Sequence, residues 1–450
     1  MREKTFRLLQ SPWFIASVAF VLRLAWLCYK VRTIPAEALA TVPFQNEVGN
    51  VAYALSTGHG FCCLFRQPTG PTAWLAPVYP VLVAVIFKLL GAFSFRAFCA
   101  SVILNSLASA LTCFPLFYSA ERIAGKSTAS LATWFWAISP IAIVLPYAWI
   151  WDSALSSFLA AALLWATLRV TESLSFRDYA VYGLLWGASL LTNPALAALL
   201  PFLLAWLLLH RPTKENARYE PAKQNGYHPE ARFWPKDLNL IRTTQLRLVL
   251  LSIAILLATC LPWTIRNYSY FHRFIPLRSN LPYEFWSGNN EIFDANSRAI
   301  NRITRYEQTT LYGHEGETAF LNEKWQAAKS FVRTHPQLYA ELCAQRLVTT
   351  WFGTDSPAHD FLHTNDELGK SLLIWNAASL AALLVGLLRL YVRERPYLFP
   401  LAVFPATFPI TFYLTHTSLR HRHPIDPAIC LLMAIAFLNR KQKRKNVKVE

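Results

Sequence analysis

The sequence predicts an all-α polytopic membrane protein of about ten transmembrane helices, with juxtamembrane helices in its first outer loop and a small helical segment on the outer face. Three observations predict this class. Of 450 residues, 54% are hydrophobic and only 15% are charged. The apolar residues come in runs long enough to cross a bilayer. The formal net charge of +17 comes largely from basic clusters at the edges of these runs, which are typical of cytoplasmic flanks and not of a nucleic-acid surface.

The first apolar run follows a basic N-terminal stretch and extends from Trp13 to Val31. A cleaved signal peptide is the alternative here, with Ala38-Leu39-Ala40 as its cleavage site. The run is longer than the usual signal-peptide core of about 7–15 residues. We therefore predict an uncleaved first helix.

The cysteines show no disulfide framework and no zinc spacing. Four of the eight lie inside apolar runs, at Cys28, Cys99, Cys113 and Cys430.

The remaining apolar runs give the helix count. A run at 178–210 predicts two short or tilted helices broken at Thr192-Asn193-Pro194, because proline interrupts a helix. With a cytoplasmic N-terminus, the Lys/Arg-rich connections all fall inside, as the positive-inside rule requires. The other predicted spans lie near 13–31, 97–119, 128–147, 153–170, 246–263, 370–390, 396–416 and 424–439.

The run APVYPVLVAVIFKLLG at 76–91 does not fit this count, because it contains Pro77, Pro80 and Lys88 and is short for a crossing. A helix lying in the outer interface keeps Glu47 and Asp152 on the same side of the membrane. A full crossing, the alternative, would place ERIAGK outside, against the charge rule. We predict the interfacial helix.

This topology divides the chain into three parts. Residues 1–263 form a membrane core with the first outer loop at 32–96, residues 264–369 form an outer-face (periplasmic) segment, and residues 370–450 form three membrane helices with a basic cytoplasmic tail. Helical periodicity from Thr318 to Val348 predicts two helices in the outer segment. The inner loop 211–243, rich in Pro, Lys, Asn and Glu, indicates a solvated linker.

Two acids stand out on the predicted outer side. Glu47 follows the first span, and the turn GHGF and the segment GPTAWLAPVYP after it would fold back to cover a site. Asp152 in PYAWIWDSAL lies at the start of a helix. The alternatives are a solvated loop acid for Glu47 and a helix-dipole interaction for Asp152.

Basic residues gather in HTSLRHRHPIDP at 416–427. The planar donor fork of Arg420 and Arg422 suits phosphate oxygens, so a lipid phosphate is the predicted partner and simple charge anchoring is the alternative. Metal ligation is an alternative for His416, His421 and His423, although their spacing matches no strong metal motif.

A second basic cluster lies in LPWTIRNYSYFHRFIPLRSN at 261–280, with Arg266, Arg273 and Arg278. Structural anchoring accounts for one arginine. It accounts less well for three arginines with interleaved aromatics on an outer face that is otherwise poor in positive charge. We predict a pocket for an anionic headgroup.

Four motifs in this order resemble the GT-C class of integral membrane glycosyltransferases, in the bacterial branch similar to protein O-mannosyltransferases and lipid A aminoarabinose transferases. They are Glu47 with the stretch Ala52 to Phe61, GPTAWLAPVYP, PWTIRNY, and RHRHPIDP, which looks like the family's Arg-Tyr-Arg-x-Pro-x-x-Pro ending. The resemblance covers nearly the whole chain. No single motif is highly specific, and their order and spacing carry the likeness.

The resemblance implies transfer of a sugar from a polyprenyl-phosphate donor to a glycan, lipid or protein acceptor on the outer face of the bacterial inner membrane. The catalytic base falls on Glu47, although the family more often has Asp there, sometimes as an Asp-Glu pair, and here Asn46 precedes it. Asp152 matches the second outer-loop acid and is the second predicted catalytic residue. A single displacement would invert the anomeric configuration. A divalent metal is left open, with no ligand assigned. The predicted substrate-binding residues are His59, Arg266, Asn267, Arg278, Arg420 and Arg422.

The residue pattern agrees with this chemistry, since a carboxylate can accept a hydroxyl proton while arginines stabilise a departing phosphate. A transporter or flippase of a lipid-linked sugar is the main alternative. It should carry ionisable residues inside its spans, where Arg23 is the clearest of few. A polysaccharide ligase or polymerase shares the outer-face site and is a third hypothesis.

Overall fold

A computed structural model describes residues 7–65, 68–148, 150–209, 235–290, 297–354, 356–358, 360, 366–393 and 395–437. Across these ranges the chain is helical, and the sole extended pairing is an isolated antiparallel bridge between Cys62 and Pro71. Most of the predicted linker 211–243 and the basic tail lie outside the described residues. All eight cysteines are free thiols.

The described part of the membrane core and first outer loop contains helices of 6 to 22 residues. Their bounds are α1 (Pro12–Thr33), α2 (Ala36–Thr41), α3 (Glu47–Ser56), α4 (Val78–Leu90), α5 (Phe95–Leu111), α6 (Cys113–Ala124), α7 (Lys126–Ile138), α8 (Pro140–Ala148), α9 (Ser153–Val170), α10 (Phe176–Thr192) and α11 (Leu200–Leu209).

The second half contains the longest helices. Their bounds are α12 (Pro235–Phe271), α13 (Leu281–Ser287), α14 (Ser297–Thr334), α15 (Pro336–Phe352), α16 (Glu367–Arg393), α17 (Arg395–Thr407), α18 (Ile410–Leu414), α19 (Leu419–Arg422) and α20 (Asp426–Ala436). Helices α14 and α15 agree with the two helices that the sequence predicts in the outer segment, and α14 is kinked at Gly316.

The described helices confirm a multi-span membrane protein, but not the predicted count of ten. Six stretches are long and apolar enough to cross a bilayer, and a seventh if the bent pair α7 and α8 is one span. Helices α10, α11 and α20 are shorter than this length. The run at 76–91 forms the 13-residue helix α4, about 20 Å long against a hydrocarbon core of about 30 Å. It is too short for a crossing unless the membrane thins locally, in line with the interfacial placement that the sequence predicts.

The predicted break at Thr192-Asn193-Pro194 is confirmed. Helix α10 ends at Thr192, and the Asn193 side chain accepts a hydrogen bond from the Ala195 amide at 3.1 Å. The same side chain donates to the Ser156 hydroxyl at 3.2 Å. The break therefore connects α10 to the start of α9, where Asp152 lies.

Helices α10 and α12 pack at very short distance. A Cβ at Gly183 would approach the Ser252 carbonyl, and a Cβ at Gly187 would meet the Thr259 side chain. Small residues four positions apart allow such close backbone approach between membrane helices. The Ser252 hydroxyl donates to the Tyr179 carbonyl at 2.7 Å, which adds a polar contact to the pair.

Arg23 lies buried in the middle of α1 and binds protein groups. Its guanidinium donates to the Ser109 hydroxyl at 2.8 Å and to the carbonyls of Ala137 at 3.2 Å and Trp136 at 3.3 Å. Both carbonyls lie in the last turn of α7, and Pro140, four residues after Trp136, has no N–H to donate to the Trp136 carbonyl. Arg23 thus satisfies a helix end inside the bundle.

Replacing Arg23 by methionine should destabilise the protein by about 1–3 kcal/mol, because buried acceptors lose a charged donor. Thermal unfolding of the purified protein in detergent measures this. The matched control is Arg32→Met, at an exposed position in the last turn of the same helix, which should leave the melting temperature unchanged. Equal melting temperatures for Arg23→Met and wild type would contradict this role.

A cluster of hydrophobic side chains joins the first outer loop to the outer segment. Trp74 from the loop packs against Tyr312 and Phe320 of α14, and Tyr283 of α13 lies 4.8 Å from the Trp74 ring. Since these aromatics come from three separate stretches of chain, they fix the outer segment over the loop that carries Glu47.

Candidate functional site

Glu47 is the first residue of α3 and is half-buried. The Asn46 side chain caps this helix by accepting from the Gly49 amide at 2.9 Å, and donates to the Pro43 carbonyl at 2.8 Å. A Cβ at Gly49 would collide with the Phe44 carbonyl. Asparagine at position 46 is therefore explained as a helix cap that fixes the start of α3 and the backbone of Glu47.

Asp152 is buried and directly precedes α9. The Ser156 hydroxyl donates to its carboxylate at 2.8 Å. Burial raises the pKa of Asp152, and the Ser156 hydrogen bond and the charges of Arg278 and Arg420 act in the opposite direction. Two arginines from distant parts of the sequence thus lie close enough to act on this carboxylate.

Arg420 lies at the centre of the charged groups. Burial lowers the pKa of its guanidinium, whereas the charges of Glu284, Glu47 and Asp152 raise it and Arg278 lowers it further. Its guanidinium carbon is 4.9 Å from the centre of the Trp151 ring. We call Glu47, Asp152, Arg278, Glu284 and Arg420 the charged cluster. Four of its members, Glu47, Asp152, Arg278 and Arg420, are predicted site residues, and Glu284 is an addition that the structure makes.

Glu284 in α13 is held by two neighbours. The Asn280 amide donates to one carboxylate oxygen at 2.5 Å, and the His416 ring nitrogen lies 3.3 Å from the other. Burial lowers the pKa of His416, with Glu284 raising it and Arg420 lowering it. The His416 imidazole is therefore predominantly neutral at pH 7.

His421 is a neighbour of His416, with ring centres 5.1 Å apart, and stacks on Phe412, with ring centres 4.7 Å apart. Burial, followed by the charges of Arg420 and His416, lowers the pKa of His421 well below its usual value. Since a neutral imidazole can accept a proton or a hydrogen bond, His421 adds a neutral polar group next to a strong cation.

Glu317 fixes the position of the chain next to Arg278. This buried carboxylate accepts from the Thr72 hydroxyl at 2.5 Å, the Ala73 amide at 3.0 Å, the Ser279 hydroxyl at 2.6 Å and the Tyr312 hydroxyl at 2.6 Å. Burial and the Glu317 charge raise the pKa of Tyr312, which keeps it a donor. Glu317 thus ties the first outer loop to the residue that follows Arg278.

Glu317→Gln should destabilise the protein by about 1–3 kcal/mol, because the amide turns one of its own N–H donors toward groups that also donate. Thermal unfolding of the purified protein measures this. Glu315→Gln, at an exposed position two residues away, is the control and should melt like wild type. A wild-type melting temperature for Glu317→Gln would show that the four hydrogen bonds do not hold the two segments together.

Other predicted substrate-binding residues make contacts within the protein. Arg266 donates to the Thr72 and Phe61 carbonyls, both at 2.7 Å, and the buried Asn267 donates to the Ile275 carbonyl at 3.0 Å. His59 is exposed in the glycine turn and pairs with the Thr57 hydroxyl at 2.9 Å. Their substrate-binding roles stay predictions, and these contacts position the loop over the site.

Arg422 lies apart from Arg420, although only His421 separates them. Its guanidinium binds Asp426 at 3.0 Å, the Asn376 side chain at 2.8 Å and the Trp351 carbonyl at 2.8 Å. His423, 3.0 Å from the other Asp426 oxygen, completes this arrangement. The sequence predicts that Arg422 binds phosphate, and no contact tests this role. Because its guanidinium already binds protein acceptors, we expect Arg420 to bind the phosphate instead.

The three histidines that the sequence raises as metal ligands do not form one group. The His416 and His421 rings lie 5.1 Å apart, beside Glu284 and Phe412 respectively, but His423 lies apart from them on the Trp136 ring. Within the described ranges, three or more His, Cys, Asp or Glu side chains are nowhere arranged to hold a metal ion.

Sequence reasoning missed Glu284 and Glu317. Each lies in the outer segment, where acids are expected on a solvated surface. A weak signal marks them: Glu284 sits within the aromatic stretch LPYEFW, and Glu317 follows a glycine. Their partners lie far away in the sequence, which no local pattern indicates.

Comparisons with known proteins agree with the motif pattern. A family model described as dolichyl-phosphate-mannose-protein mannosyltransferase matches residues 73–220. No curated protein matches the sequence.

Solved structures also match. The apo oligosaccharyltransferase of Archaeoglobus fulgidus superposes with a TM-score of 0.50 at 13% identity, covering 94% of this chain and 50% of that one. The oligosaccharyltransferase AglB of the same organism, in complex with an inhibitory peptide and a dolichol-phosphate, gives 0.49 at 12% identity with the same coverage. ArnT from Cupriavidus metallidurans gives 0.33 at 14% identity, covering 92% of this chain and 77% of that one.

The family match and the fold shared with the apo archaeal structure confirm the resemblance to the GT-C class of integral membrane glycosyltransferases. The chain spans about half the length of the archaeal proteins it matches.

Proposed function

We propose that this chain transfers a sugar from a polyprenyl-phosphate donor to a glycan, lipid or protein acceptor on the outer face of the bacterial inner membrane. The observation that carries the proposal is the charged cluster, in which Arg420 lies among Glu47, Asp152 and Glu284 with Arg278 nearby. The description of the matching family, which names a dolichyl-phosphate sugar, supports a lipid-phosphate donor.

The cluster supplies the groups that a single displacement requires. The acceptor oxygen attacks the anomeric carbon as the bond from that carbon to the phosphate oxygen breaks, and the acceptor proton passes to Glu47. Arg420 and Arg278 stabilise the phosphate that leaves with the bonding electrons. Because attack and departure occur on opposite faces, the anomeric configuration inverts.

Asp152 serves a supporting role in this scheme. Its carboxylate is buried and fixed by Ser156, which Asn193 holds in turn. It keeps Arg420 and Arg278 in place when the donor is absent. Glu284, which accepts a hydrogen bond from the Asn280 side chain, helps to keep Arg420 in place from the outer segment.

The contacts of Arg23 argue against the transporter hypothesis. A pathway for a polar substrate needs ionisable groups that face it inside the spans, and Arg23 is committed to Ser109 and the end of α7. Charged groups gather instead at one end of the bundle, which favours an enzyme.

The test uses purified full-length protein in nanodiscs with a panel of radiolabelled undecaprenyl-phosphate sugars. Because no natural acceptor is present, water takes its place, and we expect slow hydrolysis that releases undecaprenyl phosphate and free sugar from at least one of them and is lost in Glu47→Gln. Movement of labelled lipid across vesicle bilayers without sugar release would replace the enzyme by the flippase.

The outer-face orientation gives a separate expected result. In a background without native cysteines, Ser330→Cys in α14 should react with a membrane-impermeant maleimide on intact cells. Ser175→Cys, in the predicted cytoplasmic loop before α10, should react only after lysis. Both positions are exposed, so the reverse pattern would invert the proposed topology.

A further inference from the structure

A cavity of about 360 Å³ lies beside the charged cluster, between the segment after α12 and the part of α14 that follows Gly316. Its volume is at the lower end of the range of about 300–1,000 Å³ for small-molecule pockets. The side chains that matter for recognition are Arg273, Phe274, Arg278, Thr318, Asn322 and Trp325.

The charges that line this cavity are not balanced. Glu317 contributes the one carboxylate among the described lining residues, and its oxygens accept from Thr72, Ala73, Ser279 and Tyr312. Arg273 is exposed and Arg278 is half-buried. The cavity therefore presents positive charge and favours an anion.

The neutral lining suits a sugar ring. Trp325 and Phe274 offer aromatic surface, and the Phe274 side chain is 77% exposed. Thr318 and Asn322 bring a hydroxyl and an amide, which donate to and accept from sugar hydroxyl groups. A few placed polar groups around apolar surface are typical of small-molecule sites.

Arg278 connects this cavity to the charged cluster. It lines the cavity, and its charge acts on Asp152 and on Arg420. A ligand in the cavity thus shares Arg278 with the charged cluster, which contains the proposed base Glu47.

We propose that this cavity binds the acceptor of the transfer, and that the acceptor presents an anionic sugar, one that carries a phosphate or a carboxylate group. The ligand's role as acceptor rests on the proposed function, whereas its anionic sugar is inferred from the residues that line the cavity.

The test is saturation-transfer NMR on the full chain in phosphatidylcholine nanodiscs, with glucose 6-phosphate and glucuronate as anionic probes and glucose as the neutral one. We expect both anionic sugars to bind and glucose not to bind, and the tighter of the two identifies the anionic group. Arg273→Ala should weaken binding by about tenfold, because a charged hydrogen bond is lost. Arg273→Lys should retain most of it, and Arg333→Ala, an exposed arginine outside the cavity, should bind like wild type.

Four results would overturn the proposal: binding of glucose as tight as that of the anionic sugars, no effect of Arg273→Ala, equal competition by inorganic phosphate, or displacement of the sugars by phosphatidylglycerol in the nanodisc. The last would assign the cavity to a lipid headgroup. Donor turnover is measured separately on wild-type protein. Sugar binding without donor turnover would reject the proposed function alone, and turnover without anionic-sugar binding would reject this cavity alone.

Discussion

Glu47→Gln should lower sugar transfer by about 10²–10⁴-fold, the usual cost of removing a general base, while donor binding survives. Glutamine keeps the size of the side chain and a hydrogen-bonding oxygen but cannot accept the acceptor proton at neutral pH. Because the substitution also removes one of the negative charges around Arg420, donor affinity should be maintained or slightly increased. Measuring transfer rate and equilibrium binding of undecaprenyl phosphate on the same preparation separates these effects.

The control is Glu37→Gln, an exposed acid in α2 of the same outer loop, which should transfer at the wild-type rate. Wild-type turnover by Glu47→Gln would remove Glu47 from the mechanism. Asp152 would then be the candidate base. Burial raises the pKa of Asp152. If Asp152 were the base, the transfer rate should therefore begin to fall on acidification at a higher pH than it would with an aspartate of ordinary pKa.

The sequence predicts where these groups meet better than it predicts how each is used. An even number of predicted spans separates Glu47, Asp152 and Arg420 from one another. Together with the positions of Lys and Arg, this places all three on the same side of the membrane. The charges of Glu47 and Asp152 do act on Arg420 in the structure. Membrane topology restricts each loop to one of two sides, which is why so simple a rule can place distant acids and arginines on the same side.

The function of each side chain in RHRHPIDP could not be predicted in the same way. Arg420 enters the charged cluster, and Arg422 is buried against Asp426 and Asn376. The difference is set by the short helix α19 and the 3-10 turn from His423 to Ile425, whose register depends on packing against α15 and α16. A string of basic residues carries no information about that register.

Long-range contacts were also beyond the sequence. Thr72 and Glu317 are 245 positions apart, and only the folded chain shows that the outer segment closes on the first loop. The predicted count of ten spans exceeds the six or seven of the described residues for a related reason. Helices α10, α11 and α20 are short and pack within the bundle. Apolar composition alone does not distinguish such helices from full crossings.

The second large effect is expected at Arg420. Arg420→Ala should weaken binding of undecaprenyl phosphate by about 10–100-fold, since each hydrogen bond to a charged group contributes about 1.5–3 kcal/mol. It also leaves Glu47, Asp152 and Glu284 with Arg278 as the remaining cation of the cluster, and their repulsion opposes an anionic donor. Arg420→Lys should restore only part of the affinity, because an ammonium group lacks the planar donor fork.

Arg422→Ala provides the contrast, because it removes the same side chain two residues away. Its guanidinium binds Asp426, Asn376 and the Trp351 carbonyl, so its loss leaves a buried carboxylate without its cation and should lower the melting temperature. Folded Arg422→Ala protein should bind undecaprenyl phosphate nearly as tightly as wild type. Equal losses of affinity in the folded Arg420→Ala and Arg422→Ala proteins would mean that both arginines contact the phosphate, and that the donor site extends past His421 toward Asp426.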